Sequence, residues 1–111
     1  MEKDCIFCKV VQGAIPSKKV TESANFIVIK DVYPRVKGHS LVIPKEHYDT
    51  FEKLPTERYQ EFLETAKKAV DILSKEFRTK RFNYAMVGDM VRHLHLHILP
   101  RKEGDGFDLA L

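Results

Sequence analysis

The sequence predicts an α+β fold, in which an antiparallel sheet packs against one long helix and a short helix lies near the N-terminus. Residues 55–77 repeat apolar side chains at three- and four-residue spacing, which is typical of a helix that covers a sheet. Several shorter segments alternate apolar and polar residues between turn-forming residues, which indicates strands. The chain has 111 residues and 43% hydrophobic content, so we expect one domain over residues 1–111 with a modest core.

The predicted elements alternate between strands and the two helices. Residues 5–12 are expected to form the short helix, which stops at Gly13 because glycine is favoured just after a helix. The predicted strands are, in order, 18–21, 25–30, 40–43, 82–87 and 93–99. The first two form a hairpin, and the last two, joined at Gly88 and Asp89, are expected to pair antiparallel. The apolar stripe of the long helix comprises Tyr59, Phe62, Leu63, Ala66, Ala69, Val70, Leu73 and Phe77.

Charge and hydropathy exclude several classes of protein. The net charge is only +3, and basic residues are interleaved with acidic ones, so no basic stripe predicts nucleic-acid binding. No apolar run approaches the length needed to span a membrane. The chain starts with charged residues at Glu2, Lys3 and Asp4, where a signal peptide would need an apolar stretch. We therefore expect a cytoplasmic protein with neither a membrane nor a nucleic-acid partner.

The segment His93-Leu94-His95-Leu96-His97 carries the most specific chemical signal of the chain. Alternation at period two places the three imidazoles on one face of a strand. At about 3.3 Å per residue, the outer two residues lie roughly 13 Å apart, which is too far for all three to bind one metal ion. His95 is then the natural reacting group, flanked by His93 and His97, and His39 starts another strand that can bring a fourth imidazole to the site.

Cys5 and Cys8 are the only cysteines, and their spacing fits one half of a zinc site. A redox-active dithiol is the first alternative, but such a pair normally lies between a strand and a long helix, and that context is missing. His47 and His93 are available to complete a Cys₂His₂ set. The pattern favours structural zinc over free thiols, and the ion would orient His93 beside His95.

Taken together, these segments resemble the histidine triad family of nucleotide hydrolases and transferases, and the match runs in order along nearly the whole chain. The resemblance rests on the triad itself, on Gly38-His39-Ser40-Leu41-Val42-Ile43-Pro44-Lys45 and on Ile6-Phe7-Cys8-Lys9-Val10-Val11 followed by Ile15-Pro16. It implies a homodimer of α+β subunits with a HIT-like fold. It also implies cleavage at the α-phosphate of a nucleotide through a covalent nucleotidyl-histidine intermediate.

The resemblance assigns roles to individual residues. His95 matches the family nucleophile, His97 and His39 match the residues that orient it and bind phosphoryl oxygens, and Asp31 matches the residue that binds the ribose hydroxyls. With His93 beside the nucleophile, these four histidines make the predicted catalytic group. The predicted base pocket comprises Phe7, Val10, Ile15, Ile29, Val32 and Leu41. In members that bind a metal, the zinc ligands match Cys5, Cys8, His47 and His93.

The loop before the triad departs from the better-known family pattern. Residues 88–92 replace a long Asn- and Gly-rich loop, and Met90 stands where the family has a hydrogen-bonding hydroxyl. This version is similar to prokaryotic members described as dinucleoside polyphosphate hydrolases. Arg92 and Arg101 are both expected to be solvated.

We therefore expect a hydrolase of adenine-type dinucleoside polyphosphates or nucleoside phosphoramidates that releases a nucleoside monophosphate. No cluster of carboxylates indicates a magnesium site, so the chemical step is expected to need no divalent ion. The alternatives are a nucleotidyltransferase with the same intermediate and a weakly active nucleotide-binding interaction module.

Overall fold

A computed structural model describes residues 4–109 and shows a five-stranded antiparallel sheet with one long helix. The helices and strands are α1 (Ile6–Val11), β1 (Lys19–Glu22), β2 (Phe26–Lys30), β3 (Ser40–Pro44), α2 (Tyr59–Phe77), β4 (Phe82–Ala85) and β5 (Leu96–Pro100). Two 3₁₀ turns, Phe51–Lys53 and Thr56–Arg58, precede α2. The strand order is β1-β2-β3-β5-β4, with every neighbouring pair antiparallel. This architecture confirms the predicted fold class, including the hairpin and the pairing of the last two strands.

The main core lies between α2 and one face of the sheet. Phe62 on α2 stacks on Phe26 of β2, with ring centroids 5.2 Å apart. The helix stripe was predicted correctly except at Leu63, whose side chain is 62% exposed, because its neighbour Phe62 occupies the direction that faces the sheet. The opposite face of the sheet carries a smaller cluster of buried residues, namely Val10, Ile29, Leu41 and Ile43. Within residues 4–109, no helix is long and apolar enough to cross a membrane.

The last two strands are shorter than predicted, and β5 begins at Leu96 rather than at His93. The last register pairs join Val42 to Leu96 and Ala85 to His97, so β4 has ended at that point, and the pairing with β3 stops although β3 continues to Pro44. The residues before β5 use other partners: the Leu94 N–H donates to the Tyr48 carbonyl at 2.7 Å. The first two histidines of the triad therefore lie in the loop that leads into β5, and only His97 lies in the strand.

Candidate active site

A cavity of about 540 Å³, called here the catalytic cavity, lies on the face of the sheet opposite α2. Its floor includes His97 of β5, which lies between Leu41 of β3 and Ala85 of β4 in the sheet register. Alternation along β5 explains this placement, since Leu96 and Ile98 pack in the main core and His97 points to the other face. His95 and His39 also line the cavity, so the structure brings three of the five histidines together.

The His95 ring is oriented by a hydrogen bond to the backbone two residues before it. The side chain is 5% exposed, and its Nδ1 lies 2.7 Å from the His93 carbonyl oxygen. Because a carbonyl only accepts hydrogen bonds, the proton of the neutral ring is on Nδ1, and Nε2 then has the lone pair. The Phe7 ring packs beside this imidazole at 5.0 Å between centroids. The geometry therefore leaves His95 with one unprotonated ring nitrogen, as a nucleophile requires.

A chain of hydrogen bonds sets the protons of His39 and His97. The Arg35 backbone N–H donates to His39 Nδ1 at 3.2 Å, so the His39 proton is on Nε2. That N–H faces His97 Nδ1 at 2.9 Å and the Asp31 carboxylate at 3.5 Å. His97 accepts at Nδ1 and therefore carries its own proton on Nε2. This series of hydrogen bonds ends at the Nε2–H of His97, which lines the cavity.

Burial keeps both of these imidazoles neutral. Loss of solvation, together with the smaller effects of the charges of His95 and His39, lowers the pKa of His97 to about 4. Burial also lowers the pKa of His39, although the Asp31 carboxylate works in the opposite direction. At neutral pH the pair therefore contributes oriented N–H dipoles rather than full positive charges. Such fixed donors stabilise negative charge that develops on phosphoryl oxygens.

Cys5, Cys8, His47 and His93 form a second group, called here the Cys/His cluster, whose possible ligand atoms all lie within 4.8 Å of one another. Cys5 Sγ lies 3.1 Å from His93 Nδ1, and Cys8 Sγ lies 3.3 Å from His47 Nδ1. Cys5 caps α1 by accepting the Cys8 N–H, so the first helical turn brings the two sulfur atoms to the same end. The structure thus brings together all four predicted zinc ligands.

The hydrogen bonds around the Cys/His cluster fit a bound metal ion. His93 Nε2 lies 2.9 Å from the Pro44 carbonyl oxygen, and His47 Nε2 lies 2.7 Å from the Asp49 carboxylate. Each acceptor fixes the proton on Nε2 and leaves Nδ1 free to bind a metal, as outer partners do for metal-binding histidines. Two thiolates and two imidazoles are a donor set that zinc prefers.

The remaining predicted site residues divide into two groups. Phe7, Asp31, Val32 and Leu41 line the catalytic cavity, as does Met90, which is 80% exposed. By contrast, Val10, Ile15 and Ile29 belong to the smaller cluster of apolar side chains beneath α1. The His93 side chain is directed into the Cys/His cluster, so its contribution to His95 is its carbonyl oxygen rather than its ring.

Some residues that shape the site were not predicted from the sequence. The Arg35 backbone N–H donates to His39 Nδ1. A backbone contact of this kind cannot be recognised from the type of residue or from its position in a predicted turn. Phe107 and Leu109 also line the cavity, because the segment after β5 folds back towards it. The sequence contains no periodic signal for this arrangement, since the ion pair of Arg101 with Asp105 lies in a segment that is not helical. The expectation that Arg101 is solvated is wrong, because its side chain is 22% exposed and makes that pair.

Comparison with known proteins agrees with this geometry. The family model of the HIT domain matches residues 12–104. An uncharacterised HIT-like protein of Methanocaldococcus jannaschii is 42% identical over 106 residues, covering 92% of this chain and 82% of that protein. The adenosine 5′-monophosphoramidase of Schizosaccharomyces pombe is 38% identical over 98 residues, covering 87% and 74%. The adenylylsulfatase of Arabidopsis thaliana is 34% identical over 110 residues, covering 95% and 56%.

Solved structures share the fold along almost the whole chain. A Streptococcus mutans protein superimposes with a TM-score of 0.92 at 33% identity, covering 100% of this chain and 74% of that one. A zinc-bound histidine triad family protein from Mycobacterium smegmatis superimposes with a TM-score of 0.82 at 30% identity, covering 95% and 80%. The sequence motif, the fold and the relatives agree, and the chain belongs to the histidine triad (HIT) family.

Proposed function

We propose that the protein hydrolyses adenine-type nucleoside phosphoramidates or dinucleoside polyphosphates at the α-phosphate, through a nucleotidyl intermediate on His95. Family membership supports a nucleotide hydrolase. Two relatives are named for reactions at an adenylyl group, one as a phosphoramidase and one as an adenylylsulfatase. The observation that carries the proposal is the 2.7 Å contact between His95 Nδ1 and the His93 carbonyl oxygen, which in the neutral ring places the lone pair on Nε2.

In the first proposed step, the His95 Nε2 lone pair attacks the α-phosphorus, and the bond to the leaving group breaks. The bonding electrons leave with the nitrogen or oxygen of that group, which then takes a proton from solvent. The imidazole becomes positively charged when it is phosphorylated, and the His93 carbonyl oxygen on Nδ1–H stabilises that charge. The His97 N–H, aligned by His39, stabilises the phosphoryl oxygens.

In the second step, water attacks the phosphorus of the nucleotidyl-histidine. The P–N bond breaks, its electrons return to His95 Nε2, and the water gives up a proton to solvent, so that a nucleoside monophosphate is released. Splitting one displacement into two is the advantage of nucleophilic catalysis. Asp31, at the edge of the catalytic cavity, supplies a carboxylate for the ribose hydroxyls, and Phe7 with Leu41 supplies an apolar surface for the base.

We further propose that Cys5, Cys8, His47 and His93 hold a structural zinc ion. The hydrogen bonds that free both Nδ1 atoms support this, as does the zinc-bound relative from M. smegmatis. When bound, the ion would cross-link α1, the segment after β3 and the loop before β5. Its effect on the reaction would be positional, because His93 also orients His95 through its carbonyl oxygen.

Product analysis with matched substrates tests the hydrolase. The wild type and His95→Ala are incubated with diadenosine tetraphosphate, adenosine 5′-phosphoramidate and adenylyl sulfate, and the intact protein mass is followed for an adenylyl adduct. We expect AMP and an adduct from the wild type and neither from the variant, while both bind AMP with similar affinity, since the substitution removes the nucleophile and leaves the pocket.

Turnover by His95→Ala at the wild-type rate would overturn the assignment of the nucleophile. An adduct that forms but is discharged only by a phosphorylated acceptor would replace the hydrolase with a nucleotidyltransferase. Nucleotide binding without adduct or product would instead support the interaction module. The homodimer, the single domain over residues 1–111 and the cytoplasmic location stay predictions.

A further inference from the structure

The segment that follows β5 is held by one arginine. Arg101 makes a two-pronged ion pair with Asp105, in which Nε lies 2.7 Å and Nη2 lies 3.1 Å from the carboxylate oxygens. Its Nη2 also donates to the Phe107 carbonyl oxygen at 2.6 Å, and its Nη1 donates to the Asn83 side chain on β4. All of the guanidinium nitrogens are thus used to tie residues 105–107 to the sheet.

Asp105 also closes a compact loop. We call Arg101, Asp105 and Phe107 together the C-terminal clamp. Its carboxylate accepts the backbone N–H groups of Lys102 at 3.1 Å and Phe107 at 3.2 Å. Gly104 and Gly106 have φ of +76° and +77°, a conformation that glycine adopts without strain. The side chains of Arg101 and Asp105 are only 22% and 15% exposed, so this ion pair is better shielded from solvent than an ordinary surface pair.

The C-terminal clamp places apolar side chains at the catalytic cavity. Phe107 lies under the Arg101 guanidinium, with the ring centroid 5.1 Å from Cζ, and lines the cavity together with Leu109. In the sheet register, His97 separates Leu41 on β3 from Ala85 on β4, and the clamp is attached on the β4 side through Asn83. The proposed nucleoside contacts, Asp31 and Phe7, belong to the other side.

We propose that Arg101 and Asp105 are positioning residues that set leaving-group specificity, by holding Phe107 as the wall of the cavity on the β4 side. The inference rests on the proposed hydrolase, because the nucleoside side and the leaving-group side are defined by that reaction. Phe107 offers a flat apolar surface, which suits the body of a leaving group larger than ammonia. Neither Arg101 nor Asp105 contacts the reacting atoms in this scheme.

Two substrates that share the adenylyl group and differ in leaving-group size separate this role from a purely structural one. One is adenosine 5′-phosphoramidate, which loses ammonia, and the other is its N-phenylethyl derivative. The variants are Arg101→Ala, Asp105→Asn, Phe107→Ala and Arg101→Lys, with Arg81→Ala as the matched control. Arg81 is exposed, and its backbone carbonyl accepts the Arg101 N–H, so the control removes a neighbouring positive charge and spares the clamp.

We expect the ratio of kcat/KM for the large substrate to that for the small one to fall about tenfold in the first three variants, mainly through KM, since an aromatic contact is lost. Arg101→Lys restores part of the ratio, and Arg81→Ala keeps it. Equal losses for both substrates would show that the C-terminal clamp is only structural, and an unchanged ratio in Phe107→Ala would overturn the proposal.

Equilibrium binding of the same two compounds in a His95→Ala background keeps this test independent of turnover. A wild type that turns over neither compound, combined with a tenfold loss of binding ratio in Phe107→Ala, would refute the phosphoramidase activity and support the wall. Failure of both compounds to bind would overturn both the phosphoramidase activity and the wall.

Discussion

Two histidine groups lie side by side in this protein, and they differ in what faces the unprotonated Nδ1 of each ring: sulfur atoms in one group and N–H donors in the other. In the Cys/His cluster, Pro44 and Asp49 accept from Nε2 of the two imidazoles, so lone pairs converge with two sulfur atoms. At the cavity, Asp31, His39 and His97 also place possible metal ligands within 4.8 Å of one another. There, however, the Arg35 N–H occupies His39 Nδ1 and keeps a proton on Nε2.

The difference shows that the neighbours of a histidine decide its chemistry more than its spacing does. A metal bound at His39 Nε2 would require the proton to move to Nδ1, where it would face the Arg35 N–H. Two donors would then point at each other. The cavity group is therefore suited to donate hydrogen bonds to an anion, whereas the Cys/His cluster is suited to bind a metal. His93 joins the two, through its ring on one side and its carbonyl oxygen on the other.

Of the substitutions that test this difference between the two groups, removing both sulfur ligands should have the largest effect on stability. We expect the double variant Cys5→Ser with Cys8→Ser to lose its zinc and about 3 kcal/mol of stability, because the metal cross-link is lost and buried polar groups stay unpaired. For a domain of this size that corresponds to a fall in Tm of about 10–20 °C. Elemental analysis and thermal unfolding measure both quantities on one sample.

Wild-type protein treated with a chelator is the control for that experiment and should reproduce the lower Tm. A double variant that contains no zinc and unfolds at the wild-type temperature would contradict a structural metal. If nucleotide turnover falls along with stability, the carbonyl link from His93 to His95 accounts for it.

Substituting His97 tests the other group. His97→Ala should lower kcat by about 10²–10³-fold with little change in KM, because one preorganised donor to the phosphoryl oxygens is removed. His97→Gln keeps an N–H donor and should lose less activity. Zinc content should stay at the wild-type level in both variants. Loss of zinc on substitution of His97 would show that the two groups are not separate, and the contrast drawn here would fail.

The sequence predicted more of the fold than of the detailed site geometry. Period-two spacing indicates a strand and three- and four-residue spacing indicates a helix. The order of strands and helices along the chain was therefore predicted correctly. The predicted start of β5 was wrong because the spacing of His93 and His95 does not reveal that β4 has ended or that the Leu94 N–H bonds to Tyr48 instead of to a strand. The ring protons and the C-terminal clamp depend on contacts between distant segments, such as Arg101 with Asn83. Such contacts leave no periodic pattern in one sequence.

The smallest expected effect is on the pH dependence of folding stability. It reports whether His97 in the catalytic cavity is neutral. Burial lowers the pKa of His97 to about 4 from the ordinary 6.5 of an unfolded chain. Between these values the unfolded chain binds more protons than the folded one, so this contribution to stability is complete above pH 6.5 and is lost as the pH falls towards 4. Denaturant unfolding at several pH values should therefore show a shallower acid loss for His97→Asn than for the wild type. NMR titration of the His97 ring checks the cause directly, and a midpoint near 6.5 would mean that the ring is solvated and that the chain of hydrogen bonds from Arg35 does not hold it neutral.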